Sequence, residues 1–569
     1  MDATPSGWLP RLFVERIQAL ARRYLMLLVF GAGICTLGIE MTASRLLAPY
    51  FGTSQLIWAN VIGLTLLYLT IGYTLGGRWA DRRPELGLLC TIILVGAITA
   101  AVIPWISRPI LKWSLEAFAT RSAGSFIGSL LGVLALFSVP ITLLGMVSPF
   151  AVRLAIRDAA DAGKAAGNLS AISTLGSILG TFLPVLFLIP TVGTNMTIYI
   201  FAMGLLVLIL PGFWLERRKL LPVALVALIV VVALAFWPQS EPIKVADCRG
   251  CSLITEDDSA YNYIQIVERG SDANKMIGLV LNEGQAIHSI YYPKFEQTNN
   301  ASDLLTNGPW DFYNIAPYFY PNRSMESVNS MAMVGSAAGS VPKQFLAIYG
   351  KDSVIDGIEI DPRIVELGRE YFAMHDVQYY QARGETPQFP NFNTYVADGR
   401  IFFAGNDNKY DIIGMDAYKQ PYIPFHLTTR EFFETVRDHL APNGVAVVNA
   451  GKPNTAAGGD YRLVNVLAST MSSVFAHVYM IDVPNNFNTM LIGIPGDVGD
   501  GVANFEANLA TIQDPTLRYV MEQALASNSS KKPIRRWDGV GENRVFTDDL
   551  APVESVIDRI ILGQVDEGQ

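Results

Sequence analysis

Between residues 24 and 237 the chain reads as long apolar runs broken by short basic loops. From 240 to 569 apolar and polar positions alternate in short blocks, with charges spread throughout. In the first stretch about seven runs approach the ~20 residues that a helix needs to cross a bilayer. They fall at 24–44, 57–77, 86–106, 125–147, 169–190, 195–214 and 220–237. Pro104, Pro140, Pro184 and Pro211 lie inside or at the ends of these runs, which membrane helices tolerate. The first run is too long, and too closely followed by others, for a cleaved leader. Residues 8–20 (WLPRLFVERIQAL) predict a short amphipathic helix on the membrane surface.

In the second stretch the period shortens. Residues 263–267 (YIQIV), 277–281 (IGLVL) and 286–291 alternate like strands and predict a small antiparallel β region. From 331 strands alternate with helices. MAMV is followed by G-S-A-A-G-S and a helix, SVIDGIEI by the helix PRIVELGREYF, and 393–396 by Asp398-Gly399-Arg400 and a helix. YDIIGM ends at Asp416, and a helix at 429–439 precedes a strand at 445–449. This rhythm implies a parallel, doubly wound sheet.

Composition sharpens the division. The chain is 51% hydrophobic and 16% charged, against about 25% charged for a soluble domain. A net charge of −9 and the lack of any long basic run argue against a nucleic-acid partner. The basic clusters Arg11 to Arg23, Arg78 to Arg83, Arg153 to Lys164 and Arg217 to Lys219 all fall on one side of the predicted spans. The positive-inside rule makes that side cytoplasmic. With an odd number of spans the soluble half lies outside, in the periplasm or extracellular space. Glu40 sits inside the first run, where a carboxylate is costly; Arg45 is its nearest candidate partner, and a place in a polar passage is the other reading. Gly31, Gly72, Gly76, Gly176 and Gly180 predict close helix packing. Cys35 and Cys90 read as membrane-buried thiols. Cys248 and Cys251 read as either a local disulfide or two free thiols, and no second pair completes a zinc site. The five histidines are scattered and propose no metal; His426 could line a pocket or serve as a surface or capping residue.

In a doubly wound sheet ligands bind at the carboxyl ends of the strands. Gly335, Ser336, Ala338, Gly339, Glu359, Ile360, Asp398, Gly399 and Asp416 all stand at such ends. A glycine-rich first turn lets backbone approach a ligand, and an acid ending the second strand can accept both hydroxyl protons of a ribose. G-S-A-A-G-S is not the G-x-G-x-x-G of dinucleotide binders. An adenosine-containing ligand without a pyrophosphate fits better.

The run VGSAAGS…GIEIDPRIVELGREYF…VADGRIFF…KYDIIGMDAY…LTTREFFETVRDHLAPNGV resembles the spermidine synthase (aminopropyltransferase) family. With SAYNYIQI, TDDLAPVE and GIEMTASRLLAPYFGTS…GYTLGGRWADRRP it looks like the membrane-fused branch of that family, and the resemblance covers nearly the whole chain. It implies a methyltransferase-like fold and transfer of the aminopropyl group of decarboxylated S-adenosylmethionine to a polyamine, leaving methylthioadenosine. Carried over by position, Glu359 would bind the ribose, Asp398 the adenine amino group and Asn262 the nucleoside. Asp416 matches the catalytic carboxylate, with Tyr418 beside it, and Tyr313 matches a pocket tyrosine. No metal is implied.

The departures are specific. The family's first turn carries an aspartate where Ala338 stands, and its pocket tyrosine is followed two residues later by glutamate, where Ile315 stands. Its D-S-S-D-P gate becomes Asp416-Ala-Tyr418-Lys419-Gln-Pro421. Three acids are thus replaced and one cation is added, which disfavours a polyamine and eases entry of intact S-adenosylmethionine. Two versions of carbon–sulfur cleavage stay open: attack by an amine, or attack by the donor's own carboxylate to give homoserine lactone. A methyltransferase acting on a lipid or small molecule, and a transporter or sensor regulated by a nucleoside, are the alternatives. The expected domains are an amphipathic, basic segment (1–23), a transmembrane domain (24–238), a small β region (245–330), a Rossmann-like domain (331–500) and a C-terminal extension (501–569). The expected partners are the bilayer of the cell (inner) membrane and a small-molecule substrate, and a homo-oligomer is compatible with the sequence. Asp548 and Asp549 are candidates to fold back over the pocket.

Overall fold

In the computed structural model the chain divides into two units, Met1–Lys244 and Val245–Gln569. The structure describes residues 8–51, 55–118, 124–156, 162–237, 248, 250–259, 261–271, 274–282, 287–350, 352–386, 391–418, 423–452, 454–455, 458–526, 533–540, 542 and 544–566. Lys419 and residue 286 lie outside them.

The described part of the first unit consists of helices and their short connections. Among the described residues six helices are long and apolar enough to cross a membrane. The predicted surface helix at 8–20 does not stand apart, because Trp8–Phe51 is a single helix of 44 residues. No glycine or proline between residues 20 and 24 breaks it, and Pro10 falls in the first turn, where its missing N–H costs nothing. Residues 169–190 and 195–214 belong to one apolar segment, Ala162–Glu216, which reverses at Gly193 (φ 79°, ψ 171°). The contacts show the reversal. A Cβ at Gly176 would collide with the carbonyl oxygen of Phe30, and one at Gly180 with that of Ile34, so this part runs parallel to the first helix. Tyr24 Oη donates to Leu208 O (2.8 Å) and accepts from Gly212 N (2.9 Å), while Cys35 Sγ meets Phe201 O at 3.5 Å, so the later part runs antiparallel to it. Small residues let these backbones touch. Ion pairs join Arg153 to Asp81 (3.0 Å) and Arg217 to Glu85 (2.6 Å) and gather three basic clusters at one end. The expected Glu40–Arg45 pair does not form. Residues five apart on a helix point in different directions, whereas those three or four apart are neighbours. Cys35 and Cys90 are buried free thiols.

The second unit begins with Cys248 and Cys251, which form a disulfide. Strands β1 (Ser252–Asp258), β2 (Tyr263–Arg269), β3 (Met276–Leu281) and β4 (Ile287–Tyr291) pair consecutively as an antiparallel sheet. Next come β5 (Ser330–Val334), β6 (Val354–Glu359), β7 (Phe392–Val396), β8 (Tyr410–Met415) and β9 (Leu440–Gly451). A two-residue pair follows, β10 (Asn454–Thr455) and β11 (Gly458–Gly459), and then β12 (His477–Asp482), β13 (Asn488–Ile494) and β14 (Ile534–Arg536). The large sheet has the order β14-β12-β13-β9-β8-β5-β6-β7. Strands β5 to β9 are mutually parallel, and β13 is antiparallel to β9. This is a Rossmann-like doubly wound fold. Apolar layers cover both faces, one centred on Tyr313, Phe319 and Phe345, the other on Phe432, Phe433 and Leu467. Each such side chain stabilises the fold by roughly 1.5–3 kcal/mol on burial. The C-terminal extension is built into the domain, since β14 pairs with β12.

Candidate active site

The chain leaves β5 toward one side of the sheet and β8 toward the other, so the order reverses between them and opens a crevice at their carboxyl ends. Register brings these ends level: Val334 pairs with both Ile358 and Met415, and Glu359 with Val396.

The first turn is shaped by backbone. Gly335 (φ 79°), Ala337 (φ 45°) and Gly339 (φ 81°) all take positive φ. A Cβ on Gly335 would lie 2.5 Å from Asp416 O, so only glycine lets this turn pass the end of β8. Its amides are already partnered. Gly335 N and Ser336 N donate to Ile358 O (2.9 and 3.1 Å), Gly339 N to Ser336 O (2.9 Å), Ala337 N to the Glu359 carboxylate (3.0 Å) and Ala338 N to Ser289 Oγ (3.0 Å). A phosphate would find no free row of N–H donors here. Ser336 packs its side chain against Gly357, where a Cβ would sit 3.2 Å away. Ala338 is wholly buried.

Glu359 is buried, and its other oxygen accepts from Asp361 N (3.0 Å). Burial pushes its carboxyl up to about 7, against the backbone donors that hold it down. Asn262 stands behind it: its Nδ2 donates to Asp361 (2.9 Å) and its Oδ1 accepts from Asn282 (2.8 Å). Asn262 thus acts on Glu359 through Asp361, which also caps the helix Pro362–Tyr371.

Asp398 caps the helix Gly399–Ala404 and pairs with His426 Nε2 at 2.8 Å. That histidine holds its carboxyl below the usual range. A Cβ on Gly399 would collide with Val334, so the helix lies tight on β5. Ile360, Val396, Ile401 and Phe425 leave large apolar surface exposed at these ends, the character expected of a slot for a flat base. Asp548 folds back to this edge. It binds Arg400 (2.8 Å) and accepts from Thr429 Oγ1 (2.7 Å).

Asp416 follows β8. Its two oxygens accept from Trp310 Nε1 (2.7 Å) and Asn449 Nδ2 (2.9 Å). Burial raises its carboxyl to about 6, and the two donors oppose that rise. Tyr313 is wholly buried, donates to Met415 O (2.9 Å) and so props the backbone leading into Asp416. Tyr418 donates to Asn449 O (2.8 Å) and accepts from Gly451 N (3.0 Å), bridging the Asp416 loop to β9. Ile315 is buried and brings no charge.

The crevice therefore gathers Glu359, Asp398 and Asp416 on one edge of the sheet, around a glycine turn. Trp310 and Asn449 were not singled out from the sequence. Asn449 left a trace there as a polar residue ending the buried strand AVVN, and Trp310 left none beyond its aromatic character. Among the described residues no three His, Cys, Asp or Glu are placed to hold a metal.

The sheet order and its crossovers define a domain of the Rossmann-like class. Residues 344–494 match the family model described as spermine/spermidine synthase domain, and the C-terminal part of the chain carries such a domain. The chain is 31% identical over 326 residues to a probable polyamine aminopropyl transferase of Bifidobacterium longum, an alignment covering 54% of this chain and 64% of that protein. It is 32% identical over 165 residues to the polyamine aminopropyltransferase of Vibrio vulnificus, covering 28% and 48%. The chain thus spans less than two thirds of the length of either relative. A probable spermidine synthase structure from Corynebacterium glutamicum aligns at 18% identity with a TM-score of 0.37, over 52% of this chain and 96% of that one.

Proposed function

We propose that the C-terminal unit is an aminopropyltransferase-like enzyme that breaks a carbon–sulfur bond of an adenosyl sulfonium, S-adenosylmethionine or its decarboxylated form, and releases methylthioadenosine. One observation carries this reading: a buried carboxylate, Asp416, is held by two donors beside a glycine turn, two strands from the candidate ribose acceptor Glu359. Attack at the carbon next to sulfur forms the new bond, and the carbon–sulfur electron pair leaves with sulfur as a neutral thioether. If an amine attacks, its proton passes to Asp416, whose raised carboxyl suits a base near neutrality. Positioning of nucleophile and carbon in line supplies the rest. Asp398 would receive the adenine amino group, with the exposed apolar residues around it stacking on the base.

Ala338 and Ile315, both wholly buried, favour the version in which intact S-adenosylmethionine cyclises on its own carboxylate. At these two places the fold carries no charge to draw in a polycation, while intact S-adenosylmethionine brings its own carboxylate as nucleophile. The test is mass spectrometry of the nucleoside product from the full-length protein given S-adenosylmethionine alone, then the decarboxylated form with putrescine. Methylthioadenosine in the first arm supports cyclisation, and in the second arm alone it supports transfer to an amine. S-adenosylhomocysteine would replace both with a methyltransferase. A sensor or transporter reading would be favoured if Asp416→Asn left all activity intact.

The first unit, on this reading, sits in the bilayer of the cell membrane with seven crossings, because Ala162–Glu216 doubles back at Gly193. The gathered basic clusters mark the cytoplasmic end, which puts the second unit outside. The Cys248–Cys251 disulfide supports an oxidising side. A membrane-impermeant thiol reagent applied to intact cells after mild reduction should label these cysteines; labelling only after lysis would reverse the orientation.

A further inference from the structure

Glu40 has no part in the chemistry above. It is 7% exposed within an apolar helix, and among the described residues it has no hydrogen-bond or ion-pair partner. One turn earlier on the same helix, Thr36 lines a cleft whose other walls carry Tyr73, Ser148, Ser173 and Ser177. Residues four apart are neighbours on a helix surface, and helical side chains lean toward the N-terminal turn. Glu40 is not itself in the wall of the cleft; it stands one turn beyond Thr36, on the turn where these two effects make it that residue's neighbour. Among the described residues no Lys, Arg, Asp or Glu lines the cleft, and Tyr73 is the one titratable residue in its wall. The cleft also takes in the break at Met146, between Gly124–Gly145 and Val147–Ala155, with Gly145 at the carbonyl end. Carbonyl ends of interrupted membrane helices are places where cations are held.

We propose that the N-terminal unit contains a cation site within the membrane, with Glu40 as its counter-charge and the hydroxyl-lined cleft as the way to it. A lone carboxylate in lipid is costly until a positive charge joins it, and hydroxyl oxygens accept from the N–H or O–H donors of that charge. One carboxylate is too few for a divalent metal, which needs six or more oxygens. The occupant is a single charge with hydrogen-bond donors, either a proton or a protonated primary amine. This rests on the membrane placement proposed above.

Full-length protein in lipid nanodiscs is treated with dicyclohexylcarbodiimide, which enters lipid and couples to protonated carboxyls, and Glu40 is followed by peptide mass spectrometry. The expected result is labelling of Glu40 that falls about tenfold per pH unit on the alkaline side. Filling the cleft with Ser173→Leu and Ser177→Leu should slow it severalfold. Saturating n-butylamine, which carries one protonated primary amine, distinguishes the sources: protection of Glu40 identifies the amine, and unchanged labelling identifies the proton. Glu40 unlabelled at every pH, in protein that stays with the lipid, overturns the site. Release of the protein from membranes by alkaline carbonate would instead overturn the membrane placement on which it stands.

Discussion

In the first unit many threonine hydroxyls answer to their own helix. Thr70, Thr74, Thr91, Thr174 and Thr181 each donate to the carbonyl four residues earlier, while Leu66, Phe187 and Ile229 face outward at 59%, 61% and 67% exposure. In the second unit the polar side chains reach across the chain: Asp416 is bound by Trp310 and Asn449, and Arg400 by Asp548. The apolar surface left open there includes Ile360, Val396, Ile401 and Phe425, beside the candidate site. In the bilayer proposed for the first unit no water competes, and a hydroxyl is best satisfied locally. Where a solvated crevice must be built, chain-distant groups are brought together instead. The same elementary rule thus produces a scaffold in one unit and a site in the other.

The sharpest way to break this contrast is to remove convergent groups. Asp416→Asn should lower turnover by about 10²–10⁴-fold while nucleoside binding, read by calorimetry, persists; unchanged turnover would deny Asp416 its role. Glu359→Gln should raise the nucleoside Kd by about 10–100-fold, the loss expected for hydrogen bonds to a charged acceptor, with a smaller effect on turnover. On the scaffold side, Gly176→Leu drives a side chain into the Phe30 backbone. It should destabilise the first unit by about 1–3 kcal/mol, seen as earlier melting in detergent with methylthioadenosine production retained.

Acid should reveal a milder effect. A base must be deprotonated, so kcat/KM in the amine reaction should fall as pH drops through about 6, where burial holds the Asp416 carboxyl. Trp310→Phe removes a donor that favours the ionised form, so it should move this limb to higher pH; a limb that stays put would assign it to another group. Smallest of all, Asp548→Ala breaks a partly exposed pair with Arg400 and should cost about 0.2–1 kcal/mol in denaturant titration.

Much of this was legible from residue order. Glu359, Asp398 and Asp416 each close a short apolar run, and a parallel sheet sends the ends of such runs to one edge. Asn262 was matched to the nucleoside by position, but its hydrogen bonds run to Asp361 and Asn282, because the β1–β2 turn packs against the end of β6. Tyr313 was expected in the pocket as well, yet its hydroxyl lies under the Met415 carbonyl. Such partners depend on which surfaces meet, and that is not written in spacing.

Periodicity and composition alone determined that an apolar helical half precedes an alternating α/β half, since helix and strand periods and burial of apolar surface are local or additive properties. Only the tertiary structure decided that Ala162–Glu216 turns back at Gly193, that Trp310 and Asn449 grip Asp416, and that Glu40 stands without Arg45. Each of these depends on directions in space between residues far apart in the chain, or on the angle between neighbours around a helix axis.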